Sequence, residues 1–304
     1  MLRVLASDGI EKGAAKKLEE LGLEVVQQFY EPDELAEQVK QFDVLVVRSA
    51  TKVREPIIDS ALTTGRLKLI IRGGVGVDNI DVAYARERGI AVCNTPNASS
   101  ASVAELAIGH MFSLARFIGI ANYTMREGRW EKKAYKGVEI AGKTLGLIGI
   151  GRIARETGKR AMALGMNVIY TNRSGHKPEY EPFVRYELDE MLPQCDYVSL
   201  HTPGPKGTPP ILSAEKIGLM KKGAFLINTG RGNMVDTNAL LDALDAGNLR
   251  GYGVDVYEQE PCTDERLLKH PLVSMTPHVG GSTVEAQERI GEEIVAHICR
   301  EFNL

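Results

Sequence analysis

The sequence has no apolar run long enough to cross a membrane and no recognisable secretory leader. A membrane-spanning helix needs about 20 mostly apolar residues, and no segment of this chain reaches that length without charges. Residues 1–7 also lack the basic and apolar pattern of a signal peptide. We therefore expect a soluble, cytoplasmic protein with no membrane partner.

Cysteine is scarce as well, and basic residues are not clustered. The four cysteines form no C-x-x-C pair, so we expect reduced thiols, no disulfide framework and no metal site. Lysine and arginine number 37 against 40 aspartates and glutamates, which leaves a net charge of -3. Nucleic-acid binding favours a concentrated positive charge, so no nucleic-acid partner is expected.

The chain of 304 residues is long enough for two domains. Short apolar segments alternate with helical patterns, which is typical of parallel sheets covered by helices; Asp8 is expected to cap the first helix. We predict an α/β fold in which a Rossmann-type, doubly wound parallel sheet is inserted into a second, smaller, flavodoxin-like α/β domain. The predicted boundaries are 1–99 and 275–304 for the substrate-binding domain and 100–274 for the dinucleotide-binding domain.

A glycine motif between residues 144 and 174 is the most informative pattern. An apolar strand ends in a G-x-G-x-x-A turn, a helical pattern follows, and a second apolar strand comes after it. Gly149 permits a tight turn, Gly151 lets the backbone approach a pyrophosphate, and Ala154 allows helix and strand to pack closely. The helix N-terminus offers N–H groups to phosphates. A glycine-rich turn without a ligand is the alternative. The predicted cofactor contacts here are Gly149, Gly151, Arg152 and Ile153.

The cofactor's ribose edge is expected at the end of the strand that follows. An acidic residue about 20 positions after the glycines usually binds the ribose hydroxyls of NAD. Here Asn172, Arg173 and Ser174 stand instead, which removes the repulsion of a 2′-phosphate and adds a cation. We therefore predict NAD or NADP as cofactor, with the 2′-phosphate tolerated or preferred. The alternative is a surface loop that contains one arginine.

Later strand-end loops should also face the cofactor, because open parallel sheets bind ligands beyond the carboxyl ends of their strands. The residues predicted to contact the cofactor in these loops are His201, Thr202, Pro203, Thr229 and Asp255.

Two arginines follow strands in the first domain. Arg48 and Ser49 come after one apolar strand, and Arg72 ends the next, just before the glycine-rich loop 73–76. Guanidinium forks match phosphate or carboxylate oxygens, and glycine N–H groups can cradle a carboxylate. We predict an anion-binding site here, against the alternative of two unrelated surface arginines. Its residues are Arg48, Ser49, Arg72, Gly74, Val75 and Gly76.

Three residues in the later loops fit hydride transfer between a nicotinamide and a hydroxy or keto acid. His278 is the candidate acid/base, since histidine is the side chain most often used for proton transfer at neutral pH. Glu260 would orient the ring, although Glu258 is an equally polar neighbour. Arg231 would pair with the substrate carboxylate and polarise the carbonyl. Taken singly, each residue has a purely structural alternative.

An apolar helical pattern covers residues 103–126, and Trp130 follows it among charged residues. We predict one long helix and a homodimer whose contact includes this helix and Trp130. A half-buried surface tryptophan is the alternative.

Several motifs together point to a known family. They are the glycine pattern at 149–154, N-T-G-R-G at 228–232, D-V-Y with E-P between 255 and 261, and T-P-H-V-G-G-S-T at 276–283. Over nearly its whole length the chain resembles the D-isomer-specific 2-hydroxyacid dehydrogenases. The resemblance implies Arg231, Glu260 and His278 as catalytic residues, a nicotinamide contact at Asp255 and a cofactor contact at Ser102.

Further segments, including V-V-R-S-A-T-K-V at 46–53 and R-G-G-V-G-V-D-N-I-D at 72–81, are most similar to the branch of this family that oxidises 3-phosphoglycerate for serine synthesis. That similarity implies a phosphorylated 2-hydroxy acid as substrate. Its 3-phosphate would bind Arg48, with Arg72, and its carboxylate would bind the backbone of loop 74–76 and Arg231. Because the sequence ends directly after the last helical pattern, we expect it to lack the C-terminal regulatory domain with which longer relatives sense serine.

Two other functions stay open. One is an NADPH-dependent hydroxypyruvate or glyoxylate reductase, favoured by Asn172, Arg173 and Ser174. Since an unphosphorylated substrate has no use for Arg48, this residue discriminates the two enzymes. The other is a nucleotide-sensing corepressor without enzymatic activity, a role that this fold also supports.

Overall fold

Two parallel sheets organise the chain in the computed structural model, which describes residues 1–204 and 207–304. The chain divides into a first unit, Met1–Ser99 with Gly281–Leu304, and a second unit, Ser100–Gly280. The return to the first unit thus falls at Gly281 and not at residue 275. The second unit is continuous in sequence, as expected for an inserted domain.

The first unit contains five parallel strands in the order β2-β1-β3-β4-β5, which is the flavodoxin-like order. Its elements are β1 (Arg3–Ala6), α1 (Lys12–Glu20), β2 (Glu24–Val26), α2 (Pro32–Gln38), β3 (Val44–Val47), α3 (Glu55–Leu62), β4 (Leu69–Arg72), α4 (Val82–Glu87) and β5 (Ala91–Asn94), with the C-terminal α12 (Val284–Phe302).

Composition explains this sheet. Every residue of β3 is buried, as expected for a central strand covered on both faces by helices. On one face, α12 adds Ile290, Ile294 and Ile298 to a core that includes Val4 and Ala14. This apolar stripe at helical spacing explains why the last residues return to the first unit.

The second unit contains seven parallel strands in the order β12-β11-β10-β9-β6-β7-β8. Its elements are α5 (Ser100–Arg116), α6 (Ile118–Arg126), β6 (Thr144–Ile148), α7 (Arg152–Ala163), β7 (Asn167–Thr171), β8 (Val184–Arg185), α8 (Leu188–Met191), β9 (Tyr197–Leu200), α9 (Ala214–Leu219), β10 (Ala224–Asn228), α10 (Thr237–Asp245), β11 (Leu249–Val254), α11 (Glu265–Leu268) and β12 (Val273–Met275).

The strand order confirms the predicted Rossmann-type sheet, because the winding reverses between the neighbours β6 and β9. The strands also end level: Ile148 pairs with Leu200, and Leu200 with Asn228. The loops after β6, β9 and β10 therefore start side by side. Pairing of β12 with β11 keeps residues 273–275 in this unit, which accounts for the later boundary.

The prediction of one helix over 103–126 was wrong. Two helices, α5 and α6, meet at an angle of 64°. Phe117 between them has a left-handed backbone with φ 58°, and its ring packs on Tyr135 with centroids 5.8 Å apart. The aromatic contact and the turn are tertiary features that helical periodicity does not encode. Within the described residues no single helix meets the length and hydropathy of a membrane span, and only this bent pair does so jointly.

Two mid-helix glycines in the second unit should respond oppositely to alanine. Gly109 on α5 is exposed, and a Cβ there would meet nothing within 4 Å. Gly109→Ala should raise the free energy of unfolding by about 0.5–1 kcal/mol through helix propensity. Gly158 on α7 is buried, and its Cβ would lie 2.8 Å from Phe183 Cζ. Gly158→Ala should lower stability by about 1–3 kcal/mol through overpacking. Urea unfolding midpoints measure both, and shifts of the same sign would contradict this account.

Candidate active site

The glycine turn after β6 has the geometry of a dinucleotide-binding turn. Gly149 has φ 94°, and a Cβ there would lie 2.7 Å from the carbonyl oxygen of His201. Its N–H donates to Thr171 O at 2.9 Å. Gly151 caps α7 and has open space where a Cβ would project. Backbone crowding therefore requires glycine at the first position, while the second position keeps the N-terminus of α7 accessible.

The remaining motif residues lie where the spacing places them. Ala154 is fully buried between helix and sheet, which supports its role as a small packing residue in place of a third glycine. Arg152 and Ile153 form the first turn of α7, with Arg152 exposed. Ser102 is buried in the first turn of α5. The turn therefore has both the space and the N–H groups that a pyrophosphate needs.

Two buried hydroxyl oxygens after β9 and β10 fit a polar ligand. Thr202 Oγ1 and Thr229 Oγ1 have no hydrogen-bond partner within residues 1–204 and 207–304. Such groups are costly unless something bonds to them. Next to them, burial lowers the pKa of His201 to about 4, so this ring is neutral at neutral pH, and its Nε2 lies 2.9 Å from Ser199 Oγ. Pro203 is exposed. These loops thus fit the predicted cofactor.

At the end of β7, the amide of Asn172 organises its own loop. Its Nδ2 donates to Ser174 Oγ and to Gly175 O, each at 2.9 Å. Arg173 is exposed. A second cation, which the sequence analysis missed, also lies here: Arg185 Nε donates to Asn172 Oδ1 at 3.3 Å. It comes from β8, a strand of two residues that is too short for a periodic pattern.

His278 and Glu260 form the predicted pair. His278 Nδ1 lies 2.8 Å from Glu260 Oε2, and Glu260 Oε1 accepts from the N–H of Tyr257 at 3.1 Å. Burial alone would raise the pKa of Glu260, but the hydrogen bonds from His278 and Tyr257 lower it below its usual value. A carboxylate only accepts, so Nδ1 of His278 carries the proton and Nε2 is left to exchange one. The neighbouring Glu258 does not take this position.

Arg231 belongs to the same charge cluster. Its positive charge contributes to the lowered pKa of Glu260, and its Nη1 donates to Gly230 O at 2.7 Å. The Asn228 side chain closes this loop by bonding both Gly230 N–H and Arg231 O. A Cβ at Gly232 would overlap the backbone of Tyr257. Only glycine therefore lets the loop of Arg231 pack directly against the loop of Glu260.

Asp255 lies beneath the loop that carries His278. It is 1% exposed. Its Oδ1 accepts from Thr276 Oγ1 at 2.6 Å and from Val279 N–H at 2.8 Å, and its Oδ2 accepts from Gly280 N–H at 2.9 Å. The predicted nicotinamide contact at Asp255 stays a prediction. The structure assigns this carboxylate a different, structural task, because it holds residues 276–280 in place.

The first unit brings its own predicted residues together. Arg72 Nη2 donates to Ser49 Oγ at 3.2 Å, and the Arg72 guanidinium covers the space where a Cβ of Gly74 would lie. The side chain of Arg48 lies beside Gly73, with its Cγ 3.7 Å from the position of a Cβ there. The N–H of Gly74 already donates to Arg72 O. Within loop 74–76, the N–H groups of Val75 and Gly76 are therefore the candidate donors to an anion.

Two residues that shape this cluster were missed by sequence reasoning. Asp8 does not cap α1, whose N-cap is Glu11. The Asp8 carboxylate accepts instead from Arg48 N–H at 2.6 Å and from the Thr51 hydroxyl at 2.6 Å. Asn79 donates to the carbonyl oxygens of both Arg48 and Thr51. Both partners are distant in sequence, so no local pattern indicated them.

Comparison with known proteins agrees with this chemistry. The family model "D-isomer specific 2-hydroxyacid dehydrogenase, NAD binding domain" matches residues 108–280. The hydroxypyruvate reductase of Thermotoga maritima is 46% identical over 99% of each chain. The D-3-phosphoglycerate dehydrogenase of Methanocaldococcus jannaschii is 42% identical over 98% of this chain, which spans 57% of that longer protein.

Among solved structures, an NADPH-dependent glyoxylate/hydroxypyruvate reductase from Sinorhizobium meliloti, in complex with NADP and malonate, superposes with a TM-score of 0.86. It is 29% identical, and the match covers 99% of this chain and 93% of that one. The chain therefore belongs to the D-isomer-specific 2-hydroxyacid dehydrogenases, oxidoreductases that use a nicotinamide cofactor and act on small hydroxy acids.

Proposed function

We propose that this enzyme interconverts D-3-phosphoglycerate and 3-phosphohydroxypyruvate. The observation that carries the proposal is the cation at Arg48. Its backbone is fixed by Asp8 and Asn79, and its guanidinium makes no hydrogen bond among the residues that the structure describes. An arginine with a fixed backbone, whose guanidinium N–H groups do not bond to the described residues, suits a phosphate dianion. Arg72, held by Ser49, is the second phosphate ligand.

The chemical step follows from the tautomer of His278. A bound nicotinamide supplies the acceptor for the hydride that leaves C2 of the hydroxy acid. The Nε2 atom of His278 takes the proton of the C2 hydroxyl, because Nδ1–H is already committed to Glu260. The ionised Glu260 then stabilises the imidazolium. Arg231 binds the substrate carboxylate and polarises the C2 oxygen. In the reverse direction, His278 returns the proton to the keto oxygen.

A second candidate is reduction of hydroxypyruvate or glyoxylate with NADPH. Two observations support it: the full-length similarity to the Thermotoga hydroxypyruvate reductase, and the two cations, Arg173 and Arg185, that lie next to Asn172, where the ribose edge is predicted. Hydroxypyruvate and 3-phosphohydroxypyruvate share one carbon skeleton and differ only in the phosphate on C3. The same acid/base pair serves both, so the choice depends on Arg48.

Arg48→Ala should discriminate the two candidates. Loss of a charged hydrogen bond costs about 1.5–3 kcal/mol, so the KM for 3-phosphohydroxypyruvate should rise roughly 10- to 100-fold. The KM for hydroxypyruvate should not change. Steady-state kinetics with both substrates, each with NADH and NADPH, measure this. Lys52→Ala, which removes an exposed cation four positions away in the same segment, is the matched control. Equal weakening of both substrates would remove Arg48 as a phosphate ligand and favour the second candidate.

Asn172→Asp should shift cofactor preference toward NADH. A carboxylate there would repel a 2′-phosphate and accept from a ribose hydroxyl, so the ratio of kcat/KM for NADPH to that for NADH should fall about 10- to 100-fold. Arg173→Ala should lower kcat/KM for NADPH only. Lys177→Ala, a control in the same loop, should affect neither cofactor. If the parent uses NADH strictly and Asn172→Asp changes nothing, these residues do not contact the ribose edge.

We further propose a homodimer that uses α6 and the segment after it. Ile118, Tyr123, Met125 and Trp130 are 54%, 56%, 52% and 77% exposed, and exposed apolar side chains concentrated in one segment favour an interaction surface there. Ile118→Glu should shift the protein toward monomer in sedimentation at micromolar concentration. Leu219→Glu, at an exposed leucine on α9, should leave the dimer intact. A monomeric parent would contradict the proposal.

A further inference from the structure

A chain of buried polar groups connects α5 to the loop of His278. His110, on α5, is 3% exposed, and its Nε2 lies 3.1 Å from Thr276 Oγ1. Thr276 donates to Asp255, which holds the N–H groups of Val279 and Gly280. His278 therefore lies between two anchored points, one on each side in sequence, and both anchors lead to Asp255.

The positions of the protons give this series of hydrogen bonds one direction, from His110 through Thr276 to Asp255. The Asp255 carboxylate accepts three hydrogen bonds, so the single hydroxyl proton of Thr276 points to it. Thr276 Oγ1 must then accept from His110, which places the His110 proton on Nε2. Burial lowers the pKa of His110, against the opposing charge of Asp255, so the ring is neutral at neutral pH. The Nδ1 atom lies 3.0 Å from Ser274 Oγ, which in turn donates to Ser113 Oγ at 2.9 Å.

The ring is also confined sterically. A Cβ at Gly253 on β11 would lie 2.7 Å from His110 Cβ, so glycine at that position is what lets His110 approach the sheet. The loop beyond it needs such support, because His278 has a positive φ of 53°. A residue other than glycine holds that conformation only where surrounding contacts impose it.

We propose that His110 is a positioning residue, which acts through Thr276 and Asp255 to hold the backbone of residues 276–280 and thereby the imidazole of His278. The inference rests on the proposed role of His278 as acid/base. His110 does not touch the reacting atoms. A small misplacement of a catalytic group lowers the rate without changing what the substrate contacts, so kcat should respond and KM should not.

Two amides at position 110 separate the two ring nitrogens. Glutamine places its N–H₂ where Nε2 lies and keeps the bond to Thr276, whereas asparagine reaches only the Nδ1 position near Ser274. We expect His110→Asn to lower kcat about 10- to 100-fold with unchanged KM, and His110→Gln to restore most of that loss. Thr276→Val, which removes the hydroxyl at nearly constant volume, should match His110→Asn. The double variant should be no slower than Thr276→Val alone.

Ser274→Ala serves as the matched control, because it removes the contact at Nδ1 and the hydrogen bond to Ser113 but leaves the bond between Nε2 and Thr276, and its kcat should be that of the parent. Equal losses in His110→Asn and His110→Gln, or additive effects of His110→Asn and Thr276→Val in the double variant, would overturn the proposal. If His110→Asn does not fold, the comparison of Thr276→Val with Ser274→Ala still tests the proposal. A kcat that is lower in Thr276→Val than in Ser274→Ala supports it, and equal kcat values overturn it. His278→Ala in the same assay separates the hypotheses. If His278→Ala retains turnover, the proposed chemistry fails. If His278→Ala loses turnover while Thr276→Val is unaffected, only the positioning role of His110 is overturned.

Discussion

The buried carboxylate of Asp255 is the interaction on which the candidate catalytic loop depends. It accepts three hydrogen bonds from residues 276–280, and these bonds hold His278 in a backbone conformation that is unfavourable by itself. An ionised group without partners would be very costly at 1% exposure. The carboxylate and the loop therefore stabilise each other, and the geometry of the acid/base pair is a consequence.

Close backbone approach is the second constraint on this site. Gly149 and Gly232 each occupy a position where a side chain would collide with a neighbouring loop. Because the strands of the second sheet end level, the loops that follow them are adjacent and must be small where they cross. Gly232 lets the loop of Arg231 pack against the loop of Glu260, so that the charge of Arg231 acts on Glu260. The candidate catalytic side chains and the glycines that make room for them thus lie in the same loops for one geometric reason.

Charged side chains lie at two separate places that the proposed function assigns to ligands. In the first unit, Arg48 follows β3 and Arg72 ends β4. Asp8 fixes the backbone of Arg48, and Ser49 accepts a hydrogen bond from the guanidinium of Arg72. In the second unit, a neutral amide stands where an acid would repel a 2′-phosphate, and Arg185 bonds to it. In the proposed function, the phosphate on the substrate and the phosphate on the cofactor would be bound by different residues. Each preference could then change without disturbing the hydride-transfer chemistry that the two proposed functions share.

Features that repeat locally, or that one residue type imposes, could be predicted from the sequence alone. The alternation of apolar strands and helical patterns predicted both sheets. The spacing of Gly149 and Gly151 predicted the turn before α7, and the positions of Arg231, Glu260 and His278 after strands indicated them as site residues. The sequence favoured Glu260 over its equally polar neighbour Glu258, and the structure pairs Glu260 with His278. The sequence also suggested a helix cap at Asp8 and an unbroken helix through Phe117, and both were wrong. These outcomes, like the link between His110 and Thr276, depend on groups far apart in the chain, 166 positions in the last case. Only packing of the complete fold decides which distant donor meets which acceptor, because hydrogen bonds require contact within about 3 Å and local periodicity carries no information about such contacts.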